Sequence, residues 1–274
     1  MRLDQIAINS QCTAHRNLEE ALDAYAAAGF RNVEPHLNLI RDWLQDGHTV
    51  GETRALFDSR GLRVVAGSQL EIVCFGSPDA RLPNLKANVE NARLIHELGG
   101  EVMIVGTDGP EQSSPEALGA VAYAVRELAE TAEDTGIEIA IEFNWSPLVR
   151  SLRSAVRVAE MADHPRVGVL FDTAHYHVTP TKLSDIRPDS VRWIKHVHIN
   201  DMPDIPADLT HRDFDRVLPG EGVLDLPEII SALETSGYEG YFSIELFNAE
   251  LWHLAAEEAA RCCYQSLLPL CEQR

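Results

Sequence analysis

The stretch "PEALGAVAYAVRELAETAEDTGIEIAIEFN" (115–144) reads as one helix followed by one strand. Apolar residues recur at helical spacing through its first two thirds. Gly136 stands where the turn from a helix into a strand needs a C-cap. The β-rich run "IEIAIEFN" (137–144) follows at once. Together they make one unit of a parallel α/β fold, of about 30 residues.

The same unit recurs along nearly the whole chain. Further β-rich runs are "QIAIN" (5–9), "RNVEPH" (31–36), "LRVVAGS" (62–68), "EVMIVG" (101–106), "RVGVLFD" (166–172), "WIKHVHIN" (193–200) and "GYFSIELF" (240–247). Between them lie amphipathic stretches such as "NLEEALDAYAAAG" (17–29) and "VGETRALFDSRG" (50–61). Gly29, Gly61, Gly99 and Gly237 stand where further α-to-β turns need a cap. About eight such units predict an α/β protein, a (β/α)8 TIM barrel forming a single domain over residues 1–274. A doubly wound sheet has fewer strands and a glycine-rich first turn, and "INSQCT" (8–13) has none.

Bulk properties narrow the function classes. A formal net charge of −20 argues against nucleic acid, whose binders need basic residues to displace counterions. It also favours a neutral small molecule over a polyanion. No apolar run approaches the ~18–20 residues of a membrane span, and the N-terminus lacks the apolar core of a signal peptide. Cys12, Cys74, Cys262, Cys263 and Cys271 are odd in number and scattered, which fits free thiols in a cytoplasmic protein.

In a TIM barrel the active site lies at the C-terminal ends of the strands. The fifth to eighth runs end in Glu142, Asp172, His198 and Glu245, spaced 30, 26 and 47 residues apart. The first two gaps match one unit, and the third adds the long polar connection "DMPDIPADLTHRDFDRVLPGEG" (201–222). Three carboxylates at one level repel unless a cation sits among them. With the imidazole they form a mixed O/N set suited to one divalent ion, Mn²⁺ first, then Co²⁺, Mg²⁺ or Zn²⁺. His196, two residues before His198, falls one layer deeper, as a neutral core histidine; Lys195 faces the opposite side of its strand.

Other side chains fall around this set. His175, in "FDTAHYH" (171–177), could touch a substrate oxygen, with His177 beyond it. Glu34 and His36 could line the opposite wall. Arg212 and Arg216 could reach over the pocket from the long connection, with Asp201 as partner to a histidine or arginine. A charge-paired surface loop is the bland alternative, of equal weight for Arg212.

The succession "IEF", "FDTAH", "HVHIND", "LPGEG" and "SIELF" resembles the xylose isomerase-like TIM barrel superfamily of sugar isomerases and epimerases. From about residue 137 onward, "VGVLFDTAHYHV", "HINDMPDIP", "DRVLPGEGVLDL" and "SIELFNAELWHLAAEEA" are similar to inosose isomerases of inositol catabolism. By position, the resemblance implies the same four metal ligands. It also implies that Glu142 and Glu245 are the catalytic proton-transferring pair, with His175 and Arg216 near the substrate. "VEPHLN" (33–38) and "GSQLEIVCFG" (67–76) depart from the pattern, and with them the substrate walls.

The expected activity is metal-dependent isomerisation or epimerisation of a keto-cyclitol or keto-sugar through an enediolate. A dehydratase of an inosose or related keto-polyol is the nearest alternative, and a non-catalytic, metal-stabilised sugar-binding subunit is one of another class. An endonuclease of the same barrel class would need more metal-binding histidines and a basic face. The striped C-terminal segment "LWHLAAEEAARCCYQSLLPLCEQR" (251–274) could pair with a copy in a homodimer or pack on its own barrel.

Overall fold

A computed structural model describes residues 1–14, 16–209 and 213–271. Its parallel strands are β1 (Ile6–Asn9), β2 (Asn32–Glu34), β3 (Arg63–Val64), β4 (Ala66–Ser68), β5 (Val102–Val105), β6 (Glu138–Glu142), β7 (Val167–Asp172), β8 (Ile194–Ile199) and β9 (Phe242–Ile244). The helices run α1 (Leu18–Ala28), α2 (Leu37–Gln45), α3 (Val50–Asp58), α4 (Pro78–Glu97), α5 (Leu118–Thr131) and α6 (Leu152–Ala162). They continue as α7 (Thr173–Val178), α8 (Pro188–Val191), α9 (Leu226–Thr235), α10 (Ala249–His253) and α11 (Ala256–Leu267).

The sheet order β3-β2-β1-β9-β8-β7-β6-β5-β4 begins and ends on strands that are one residue apart in the chain. The third predicted run therefore splits in two. Its first part pairs with β2 and its second with β5, and the His36–Ser68 bridge completes the nearly closed barrel.

Helix ends follow local chemistry. Asn17 accepts from the Glu20 amide at the start of α1, and Thr49 and Glu52 form a capping box on α3. The glycines expected as caps at 29, 61, 99, 136 and 237 all have positive φ, the conformation that ends a helix at no steric cost. In α6 the residues Leu152, Ala155, Val158, Ala159 and Ala162 form one buried stripe against the barrel. Each fully buried leucine or valine there contributes about 1.5–3 kcal/mol. The stripe of α11 (Ala256, Ala259, Ala260, Cys263 and Leu267) is likewise buried within the chain, packing on α1.

The barrel interior is different. Its apolar floor is small, formed by Ala66, Val102, Ile104, Ala140 and Leu170. Residues two further along a strand share a face, so the floor under Ala140 and Leu170 gives way to Glu142 and Asp172. On β8 the inward pair is His196 and His198. Polar chemistry thus begins where the apolar packing stops.

Candidate active site and metal centre

The strands β6, β7, β8 and β9 are successive neighbours, and Asp172 is in register with His198. Glu245 follows the last residue of β9. The four strand-end residues of the sequence reading thus meet at one end of the barrel. Glu142, Asp172 and His198 offer ligand atoms within 4.8 Å of one another. His198 Nδ1 lies 3.1 Å from Glu245 Oε2 and 3.5 Å from Asp172 Oδ2.

His198 has two distinct faces. Its Nε2 donates to Glu34, 2.9 Å from Oε1 and 3.1 Å from Oε2. An ionised carboxylate only accepts, so that nitrogen carries the proton. Nδ1 is buried with no hydrogen-bond partner and faces the carboxylates. A buried nitrogen left open toward two carboxylate oxygens fits a divalent cation, and Glu34 fixes the orientation that opens it.

Glu34 lies beneath the site, fully buried, and is not part of an opposite wall. It also accepts from His196 Nε2 at 3.0 Å and Asn9 Nδ2 at 2.8 Å. His196 is thus a hydrogen-bonded core histidine, as expected one layer down. Glu34, His196 and His198 form a second close group. There, however, both ring nitrogens point protons at the carboxylate and leave no lone pair for an ion. Asn9 was invisible to strand-end reasoning about acids and histidines. Its Nδ2 also reaches Glu245 Oε1 at 3.1 Å, and its place at the end of β1 was the available signal.

Arg216 enters from the long connection and is buried, with its guanidinium among the acids. It pairs with Glu245 Oε2, with Asp172 Oδ2 at 3.2 Å and with Asp213 Oδ1 at 3.0 Å. His175 Nε2 is 3.3 Å from Arg216 Nη2 and 3.4 Å from Glu142 Oε1. The backbone of α7 places His175, because Asp172 Oδ1 caps that helix by accepting from Ala174 and His175 amides. Trp145 packs edge-on against the His175 ring, and Arg216 sits over the Phe247 ring.

Electrostatics follow from these contacts. Burial would raise the Asp172 carboxyl, but Arg216, His175 and His198 outweigh it and hold it well below the usual carboxylate range. Glu34 is pushed up by burial and more strongly down by His198 and His196. Burial would lower the His198 imidazole, yet Glu245 and Glu34 lift it well above its ordinary value. Glu142 is held low by His175 against the cost of burial. These shifts show how strongly the set attracts positive charge.

Above the set lies a cavity of about 550 Å³, lined by Glu71, Asp108, Glu142, His175, Asp213, Arg216, Glu245 and Phe247 among others. A second lobe of about 250 Å³ shares Glu71, Glu142, Glu245 and Phe247 and carries His36 and Gln69. His36 is thus among the residues that line this lobe. His177 is half-buried beyond α7's first turn. Among the described residues, the hydrogen bonds of the Asp201 carboxylate go to backbone amides of the long connection. Arg212 lies outside the described residues. Glu71, Trp145 and Phe247 were missed, because they come from loops with no local chemical pattern.

Among the described residues no helix is long and apolar enough to cross a membrane. All five cysteines are unbridged.

The chain is similar to known proteins in sequence and in fold. Residues 22–266 match the family model described as xylose isomerase-like TIM barrel. An inosose isomerase of Halalkalibacterium halodurans is 26% identical over 253 residues, covering 89% of this chain and 88% of that protein. A 3-dehydroshikimate dehydratase of Pseudomonas putida is 28% identical over 269 residues, covering 93% of this chain and 40% of that longer one. In fold, the crystal structure of the protein IolI, which holds a zinc atom, superposes with a TM-score of 0.88 at 23% identity over 97% of both chains.

Proposed function

The chain belongs to the xylose isomerase-like TIM barrel family, and from that premise we propose that it is a metal-dependent isomerase or epimerase of a neutral keto-cyclitol or keto-sugar, working in the cytoplasm. The observation that carries this reading is the open, buried His198 Nδ1 facing carboxylates from the neighbouring strand ends. Glu142, Asp172, His198 and Glu245 would hold one divalent ion, with Mn²⁺ our first choice. When bound, such an ion supplies Lewis-acid stabilisation of the negative charge that develops on a substrate's carbonyl and adjacent hydroxyl oxygens.

The remaining chemistry belongs to the side chains. Glu142 removes the proton next to the carbonyl, and Glu245 returns one at the adjacent carbon or opposite face, giving a proton transfer through an enediolate. Asn144 Nδ2 donates to Glu142 Oε2 at 3.2 Å, holding that carboxylate by one oxygen and leaving the other toward His175. His175 and Arg216 orient substrate oxygens, and burial of both keeps water from competing. Glu71, Asp108 and Asp213 add negative charge to the walls, while Arg216 already serves three carboxylates. That balance favours an uncharged polyol over a phosphorylated or carboxylated substrate.

Elimination of water from the same enediolate is the second reading. The dehydratase similarity along 93% of this chain favours it. Product analysis by carbon NMR after incubating metal-loaded protein with 2-keto-myo-inositol separates them. A saturated ketone isomer supports the proposal; a dehydrated dione supports the alternative.

A further inference from the structure

Arg216 has to be delivered from the connection between β8 and α9, where it follows the short 3-10 turn Asp213–Asp215. What holds it there is Asp201. The Asp201 amide donates to Val217 O at 3.0 Å and its carbonyl accepts from Val217 N at 2.9 Å, so the residue after Arg216 is bridged to the end of β8. The buried Asp201 carboxylate then gathers four backbone amides. Its Oδ1 accepts from Met202 at 2.8 Å and Leu224 at 3.0 Å; its Oδ2 accepts from Gly220 at 3.0 Å and Gly222 at 3.1 Å. On the other side, Asn248 Nδ2 donates to Arg216 O at 3.1 Å.

The "PGEG" turn (219–222) is therefore wrapped around one carboxylate. A Cβ on Gly222 would lie 2.3 Å from Asp201 Oδ1 and 2.2 Å from Met202 O, so only glycine lets the turn approach. An ionised carboxylate can accept all four bonds. An asparagine in its place has one accepting oxygen and would turn its own N–H groups against amide donors.

We propose that Asp201 is the positioning residue for Arg216: its carboxylate knots the ends of the connection and so presents the guanidinium to Asp172, His175 and Glu245. The role of Arg216 in turnover rests on the function proposed above, whereas its placement by Asp201 does not.

The test is a comparison of the unaltered protein with Asp201→Asn and Gly222→Ala. In ¹⁵N TROSY spectra, the Nε–H signal of Arg216, assigned by its loss in Arg216→Lys, is expected to disappear or broaden in both variants. Signals from the barrel strands should persist. With a keto-polyol substrate, Asp201→Asn should lose turnover on the order of 100-fold. The double variant Asp201→Asn/Arg216→Lys should be no slower than Arg216→Lys alone, since one residue acts through the other. An unchanged Arg216 signal in Asp201→Asn overturns the proposal, and so do losses that multiply in the double variant. If the unaltered protein turns over no keto-polyol, the functional reading fails while the Nε–H comparison still decides the placement.

Discussion

Glu34 Oε1 lies 2.9 Å from His198 Nε2, directly beneath the carboxylates that the other ring nitrogen faces. This bond decides which imidazole nitrogen is open. In Glu34→Gln one oxygen and one amide group must meet donors from His196, His198 and Asn9. Zn²⁺ or Mn²⁺ binding should weaken by about 10–100-fold, the usual consequence of losing a carboxylate behind a metal-binding histidine. Calorimetric titration of the variant against the parent measures it, and equal affinity would remove Glu34 from the account.

Glu142→Gln and Glu245→Gln should each abolish turnover while the circular dichroism spectrum and oligomeric mass stay those of the parent. Each change keeps the side-chain shape but removes the base. Full activity in either variant would contradict the role given to that residue.

Stability should depend on acid in a defined direction. Glu34 and Asp172 are both held below their ordinary values in the fold. Groups shifted down bind fewer protons folded than unfolded, so their stabilisation is complete above the ordinary carboxylate range and is lost as pH falls below it. The difference in urea stability between the parent and Glu34→Gln, measured metal-free, should therefore be largest near neutral pH and shrink below roughly pH 4–5. A difference that grows on acidification would reverse the sign.

Metal should stabilise the fold, because the ligand set is complete only when folded. At a free concentration 100 times Kd, binding of one ion contributes about 2.7 kcal/mol. Thermal melts should rise on adding Mn²⁺ or Zn²⁺ and fall back with a chelator. Asp172→Asn should abolish that response. A metal-induced shift of parental size in Asp172→Asn would place the ion elsewhere.

Much of this was legible in the sequence because it is periodic. Strand runs, helical stripes and the glycines at 29, 61, 99, 136 and 237 each follow from local geometry, and together they predict the barrel. The cluster proposed to hold the metal was legible because Glu142, Asp172, His198 and Glu245 all stand at strand ends. Glu34 stands at a strand end too, yet it is buried beneath the site. Depth inside a barrel depends on how strands stagger, and a three-residue strand such as β2 carries no record of that. The split of 62–68 into β3 and β4 escaped for the same reason, since only the partners on either side reveal it. The amide partners of Asp201 were not legible, because they come from residues 202–224 of a connection without periodicity.

The proposed reaction is proton abstraction beside a carbonyl, dependent on a bound metal. The direct measurement is proton NMR in D₂O of metal-loaded protein with 2-keto-myo-inositol, with and without chelator. Deuterium should enter at the carbon beside the ketone, together with a new ketone isomer, and both should vanish with chelator. Exchange and isomerisation that continue undiminished in the chelated protein, or their absence across 2-keto-myo-inositol, keto-hexoses and keto-glycosides alike, would contradict the account.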